Sequence, residues 1–267
     1  MSRVELLNAG GLRLDSRRAH ELRSLVLSLS PASSTTSLES APAGSARVQM
    51  GLASVYCAVY GPREARKAQG QVHGEATLEV EVEVEPWSGR ERRRRMKGDR
   101  RLVELASSLK STFEPVIHRQ LFPRSEIVVQ VVVEVQDGGV LSCAINAITL
   151  ALLDAGVPMS DSVLSLTLGQ HLRPSCVLLD LTSAEESGLP FLTLAMLPRT
   201  KKVTLAQSES RLAREDFREM LKLGTEAIGV LQAEVDQVLK ARTKRLVQAM
   251  GTAKMAPLQD EMDAMQE

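Results

Sequence analysis

Aromatic side chains are scarce in this sequence: one Trp, two Tyr and four Phe among 267 residues. A row of rings of the kind that grips single-stranded nucleic acid by stacking is therefore not available. Cysteine is scarce too. Cys57, Cys143 and Cys176 lie far apart, odd in number and without a CxxC pair. That spacing argues against a disulfide scaffold or a cysteine zinc module and fits a reducing intracellular compartment. Neither sign of charge is in excess, with 33 Lys plus Arg against 33 Asp plus Glu, so only the placement of charge can speak for a partner. No apolar run approaches the roughly 18–20 residues of a membrane helix. The first residues, "MSRVELLNAGGLRLDSRR", mix charges early and show no apolar h-region, so neither a secretory signal nor a membrane partner is expected. His20, His73, His118 and His171 are scattered, with no i,i+4 pair, and read as ordinary histidines rather than ligands.

Hydrophobic residues, at 43%, are enough to bury a substantial core. Residues 30–46, "SPASSTTSLESAPAGSA", bury too little apolar area to offset their ordering entropy and read as a mobile loop insertion. Strands are expected on either side, over 24–30 and over 46–61 with a break near Gly51. In "ATLEVEVEVEPW" (76–87), Leu78, Val80, Val82 and Val84 share one face and Glu79, Glu81, Glu83 and Glu85 the other. Four glutamates on one face raise the question of a metal. No His or Asp joins them, so a solvated or interface-facing surface is the better reading and no metal or cofactor is expected. From Leu102 to Phe113 apolar residues recur at helical spacing, with Gly98 and Asp99 as start and cap. "SEIVVQVVVEVQ" (125–136) is apolar on nearly both faces, hence a covered central strand.

A mostly apolar helix follows over 139–155, stopped by Gly156 and Pro158 and expected inside the core. Further strands are expected over 162–169, 175–182, 191–198 and 202–208. A long C-terminal helix should run from about 210 to 250. Its stripe of Phe217, Leu221, Ile228, Leu231, Val235 and Val238 is interrupted by Gly224, which favours docking on a sheet over a coiled coil. The fold class is α/β (α+β): one domain over 1–250 with mixed sheets packed with helices, then a frayed tail at 251–267.

Two stretches carry chemistry. "VQDGGVLSCAINA" (135–147) is strand, glycine pair, helix, the order that presents unpaired backbone N–H groups to an anion. A phosphate site usually adds a hydroxyl and a cation there, and this chain has Val140 and Leu141. Cys143, just beyond, lies in an apolar helix without a neighbouring His and reads as buried filler. The second stretch, "RERRRRMKGDRR" (90–101), holds Arg90, Arg92, Arg93, Arg94, Arg95, Lys97, Arg100 and Arg101 against Glu91 and Asp99, eight positive against two negative. Arginine forks suit phosphate oxygens, so this is a polyanion-binding segment. A solvated loop or a nuclear-localisation tract are its plainer readings. Trp87, next to it, is the one candidate stacker, and equally a strand-end core residue.

"RLDSRRAHELR" (13–23), "VYGPRE" (59–64), "DRRLVELASSLKSTFEPVI" (99–117), "VEVQDGGVLSCAINAITLALLDAGVPMSDSV" (133–163) and "VLLDLTSAEES" (177–187) occur in the order found in RNase PH-like proteins. The sequence resembles that family over residues 4–250, outside the Ser/Thr-rich insertion. Within it, the nearest resemblance is to RNA exosome ring subunits of the type related to the archaeal phosphorolytic subunit. The resemblance implies a two-layer α/β fold and assembly into a six-membered ring around a channel for single-stranded RNA. In active members the glycine pair is followed by Thr-Arg, which bind the attacking phosphate, and two aspartates follow in a D-x5-D arrangement.

Carried over residue by residue, Gly138 and Gly139 remain, Val140 and Leu141 replace the Thr-Arg pair, Asp180 matches the first acid and Glu186 replaces the second. Arg100 and Arg101 match a pair that contacts RNA phosphates, and Arg92–Arg95 and Lys97 match a channel-facing segment. Losing two charge-assisted contacts of about 1.5–3 kcal/mol each implies a degenerate phosphate site with vestigial acids. The expectation is thus a non-catalytic ring subunit that guides RNA to an associated hydrolytic nuclease. Its partners would be other RNase PH-like subunits, RNA-binding cap subunits, that nuclease and single-stranded RNA, in the nucleus, nucleolus and cytoplasm. The alternatives are an active phosphorolytic 3′-to-5′ exoribonuclease, its phosphate held by other arginines, and a free-standing RNA-binding domain.

Overall fold

A computed structural model describes residues 6–8, 10–30, 41–64, 74–89, 91–92, 98–172 and 175–264 of the chain. The first sheet contains β1 (Leu25–Leu29), β2 (Gly44–Met50), β3 (Ala53–Glu64), β4 (Thr77–Val84) and β5 (Ser125–Val135), laid side by side as β1-β2-β3-β5-β4. All neighbours are antiparallel except β4 and β5, which run parallel with Val84 beside Val133. β5, apolar on both faces, has a paired strand on each side, as its composition requires. β4 keeps the expected alternation: Leu78 is buried while Glu79, Glu81 and Glu83 face outward. Within the 30–46 insertion, residues 31–40 lie outside the described residues, and β2 begins at Gly44.

Helix α1 (Arg100–Phe113) packs on β4 through its apolar face, and the Asp99 carboxylate accepts from the Arg101 N–H as the expected N-cap. Helix α2 (Val140–Asp154) contacts β2 and β3 of the first sheet and β6 (Leu164–Leu172) and β8 (Phe191–Leu197) of the second. It is thus covered from both sides, and every residue from Ser142 to Leu152 is buried. Its polar members are matched: Asn146 bonds the backbone of Ser165 through both amide atoms, and Thr149 Oγ1 donates to Val163 O at 2.6 Å. The second sheet, antiparallel throughout, has the order β7-β6-β8-β9, with β7 at Ser175–Leu179 and β9 at Lys202–Ser208.

Two short elements escape the periodicity of the sequence. One is a 3-10 turn at Arg119–Leu121. The other is helix α3 (Ser183–Gly188); the strand expected to reach residue 182 ends at Leu179, and Thr182 is the N-cap of this helix. Thr182 and Glu185 form a complete capping box there, a Thr-x-x-Glu signature that the sequence does show. Helix α4 runs from Arg214 to Ala264. The chain divides into two units, Met1–Gly229 and Val230–Glu267. Within the first, Met220 and Ile228 are buried, and a Cβ on Gly224 would lie 2.8 Å from Leu194 Cδ2 and 3.2 Å from Leu168 Cδ1. The glycine that breaks the stripe is where the helix sits directly on β6 and β8. The second unit is the remaining helical part. No helix among the described residues is long and apolar enough to cross a membrane.

Candidate active site at the glycine turn

Between β5 and α2 the chain turns through Gly138 (φ +77°) and Gly139 (φ +62°), both left-handed. A Cβ on Gly138 would come within 2.6 Å of the Thr182 carbonyl carbon and 2.7 Å of Leu181 O, so the 181–183 backbone closes on the turn only because the residue is glycine. Gly139 caps α2: its carbonyl accepts from the Cys143 N–H at 3.0 Å and from Ser142 Oγ at 2.7 Å. The start of α2 therefore keeps its outward N–H groups, as the sequence implied.

Three arginines from the segment before β1 reach across to the end of β7. Asp180, at φ +55°, is clasped at both its ends. Its carbonyl accepts from Arg17 Nη1 and Nη2 at 3.2 Å each, and from Arg13 Nη1 at 3.4 Å. Its carboxylate takes the Arg23 N–H at 2.9 Å through Oδ2 and Arg23 Nη2 at 2.6 Å through Oδ1. Arg23 also donates from Nη1 to Asp137 O at 2.7 Å, so one guanidinium ties the glycine turn to Asp180. The Arg23 and Asp180 side chains are 5% and 1% exposed. Burial works to lower the Arg23 pKa, but the hydrogen bond and charge of Asp180, helped by Asp137, carry it above its ordinary value. Arg13 is fully enclosed, its Nε 3.2 Å from Glu185 Oε1 as an ion pair without a hydrogen bond, and desolvation lowers its pKa.

Glu186 occupies the opposite rim. Its Oε2 accepts from the Gly139 N–H at 3.2 Å, so the turn already holds an oxyanion, one supplied by the chain itself. Burial, the largest influence, pushes the Glu186 carboxyl up, and Glu209 adds to it against the Gly139 N–H and Arg23.

The structure thus gathers Gly138, Gly139, Val140, Leu141, Asp180 and Glu186 in one place, with Val140 and Leu141 half-exposed at the helix start. Arg100 and Arg101 are exposed in the first turn of α1, and Arg92 is exposed as well. Arg90, Arg93, Arg94, Arg95, Lys97 and His73 lie outside the described residues. Cys143 is buried filler with its Sγ on Val48 O. Sequence reasoning singled out neither Arg13, Arg17 nor Arg23 for a role. Their spacing follows no helix or strand period, and the partners that draw them to this site lie more than 110 residues away.

Two family models match: "3′ exoribonuclease family, domain 1" over residues 21–158 and "3′ exoribonuclease family, domain 2" over 147–227. The chain belongs to this RNase PH family. It is 38% identical over 245 residues to the exosome complex component RRP41 homolog of Arabidopsis thaliana, covering 91% of this chain and 98% of that protein. It is 30% identical to the exosome complex component Rrp41 of Pyrococcus horikoshii, covering 92% and 95%. Among solved structures, rice Rrp46 shares the fold with a TM-score of 0.74 at 24% identity, covering 85% of this chain and 100% of that one. The Archaeoglobus fulgidus exosome with RNA bound to the active site shares it at 0.70 and 19% identity, covering 85% and 93%.

These relatives overturn one expectation. The chain was expected to be an inactive homologue because Val140 and Leu141 stand where Thr and Arg would. It instead matches a 3′ exoribonuclease family in both halves, and its relatives bear the name of the archaeal Rrp41 subunit. Two side chains are replaced, while the backbone cradle, the buried Arg23–Asp180 pair and an acid at the rim are all in place.

Proposed function

We propose that this chain is a core ring subunit of an RNA exosome whose glycine-turn site supports phosphorolytic 3′-to-5′ shortening of RNA. The observation that carries the proposal is the Gly139 N–H seated on a carboxylate at 3.2 Å, beside Arg23 of the Arg23–Asp180 pair. An N–H that holds one oxyanion can hold another, and inorganic phosphate would take the place of Glu186. A phosphate oxygen then forms a bond to the phosphorus of the 3′-terminal nucleotide. The bond from that phosphorus to the preceding O3′ breaks, the O3′ takes a proton, and a nucleoside diphosphate leaves. Displacement removes the Gly139 hydrogen bond that works to lower the Glu186 pKa, so the displaced carboxyl favours its protonated form and in that form can give the proton. Asp180, enclosed and bonded through both oxygens, orients Arg23 and the turn.

The basic segment supports RNA delivery. Because β4 and β5 are parallel, the residues leaving β4 and the glycine turn leaving β5 emerge at the same end of the sheet. As partners we propose other RNase PH-like ring subunits, RNA-binding cap subunits, an associated hydrolytic nuclease and single-stranded RNA, in the nucleus, nucleolus and cytoplasm. Affinity purification of the tagged chain from each fraction checks this.

The functional test is the assembled ring, without added hydrolase, incubated with labelled single-stranded RNA in phosphate and Mg²⁺. Phosphate-dependent nucleoside diphosphates, lost with Asp180→Ala in this subunit, are expected. RNA that stays intact in phosphate would overturn the phosphorolytic proposal.

A further inference from the structure

Trp87 is 65% exposed and is the sole tryptophan of the chain. A lone exposed apolar side chain is normal on a protein surface; the position of this one is not arbitrary. The turn that carries it is pinned by backbone bonds. The Glu85 N–H donates to Val133 O at 3.0 Å, the Ser88 N–H to Glu85 O at 3.0 Å, and the Gln136 N–H to Ser88 O at 2.8 Å. Gln136 precedes Asp137, whose carbonyl accepts from Arg23 at 2.7 Å. The backbone turn that carries the indole therefore lies beside the residues leading into the glycine turn, at the end of the sheet where β4 and β5 both finish. Its sequence neighbours are cationic: Arg92 is exposed, and the Arg100 side chain is 90% exposed, bound only at the surface to Glu104. An exposed indole in an arginine-rich stretch of sequence, with few other rings in the chain, fits one unstacked base whose backbone the arginines track.

We propose that Trp87 is a stacking platform for a base of single-stranded RNA at the entrance to the glycine-turn site. This rests on the RNA-handling part of the function proposed above.

The test uses the full chain and two probes of about a dozen nucleotides: oligoadenylate, and an abasic oligomer with the same backbone. Because the chain has one tryptophan, its emission reports Trp87 alone. Oligoadenylate should quench that emission and the abasic oligomer should not. Trp87→Ala should weaken oligoadenylate roughly tenfold and leave abasic binding unchanged, with Trp87→Phe recovering most of the loss. Arg100→Glu with Arg101→Glu should weaken both probes alike and reduce the salt slope by about 1.4. Equal binding of oligoadenylate by Trp87→Ala and the parent, or equal quenching by both probes, would overturn the stacking role while leaving charge-based RNA binding standing. If neither probe binds at low salt, the RNA-handling reading falls with it.

Discussion

Arg23 Nη2 lies 2.6 Å from Asp180 Oδ1, two charges 157 residues apart in sequence and closed off from water together. The same guanidinium holds Asp137 O, so it links the loop after β5 to the end of β7. Removing one partner leaves the other charge buried and alone, which costs about 3–5 kcal/mol. Arg23→Ala and Asp180→Asn should each lower stability strongly in denaturant titrations. The double variant should lose clearly less than their sum, because neither charge is then stranded. Additive losses would show that the pair is not coupled as its geometry requires.

Glu186 gives a pH signature of a different kind. Burial raises its carboxyl above the ordinary 4.5, so the native chain holds this proton more tightly than the unfolded chain does. Its contribution to stability is fully present below that ordinary value and is lost as pH rises through the raised native one. Glu186→Gln keeps an acceptor for the Gly139 N–H and removes the titration. The variant should therefore gain on the parent as pH rises from about 4 to about 8, with the gain beginning above the ordinary carboxylate range. A constant difference across that range, followed by denaturant midpoints, would contradict the raised value.

The three thiols should separate by reactivity. Cys57 is fully buried and shifted far upward, and burial pushes Cys143 up to about 12. Cys176 is only half-buried. Native chain treated with a thiolate-selective alkylating reagent near neutral pH should label at Cys176 ahead of the other two, and unfolded chain at all three. Peptide mass spectrometry assigns the sites. Rapid native labelling of Cys143 would mean that the core around α2 opens easily.

The sequence legibility of this protein follows from the range of the forces involved. Local patterns locate the elements: the Glu–Val alternation of β4, the apolar run of α2 ending at Gly156, and the Asp99 cap of α1. The glycine turn is legible because strand, glycine pair and helix are contiguous. The arginine clasp on Asp180 is not, since Arg13, Arg17 and Arg23 follow no period and meet their partners only in three dimensions. Helix α3 was missed for another reason. At six residues it is too short to show a 3.6 repeat, although its capping box was written in Thr182 and Glu185. The inactivity expected from Val140 and Leu141 conflicts with the relatives the chain matches; it counted side chains alone, whereas the turn also presents backbone N–H groups that Val and Leu keep.

That last distinction can be measured. Val140 and Leu141 are half-exposed at the start of α2, so Val140→Thr with Leu141→Arg should fold with little loss and add a hydroxyl and a forked cation beside Gly139. One charge-assisted hydrogen bond contributes about 1.5–3 kcal/mol, so the affinity for inorganic phosphate should rise by one to two orders of magnitude. Phosphate-dependent stabilisation against heat reads this without any need for turnover. Glu186 competes for the same N–H at 3.2 Å, so adding Glu186→Gln should raise phosphate affinity further, and more than it does in the parent, if the new arginine pairs with Glu186 while the site is empty. An unchanged phosphate response in both variants would mean that phosphate does not settle on the glycine turn at all. Phosphorolysis by the ring would then have to be traced to another subunit.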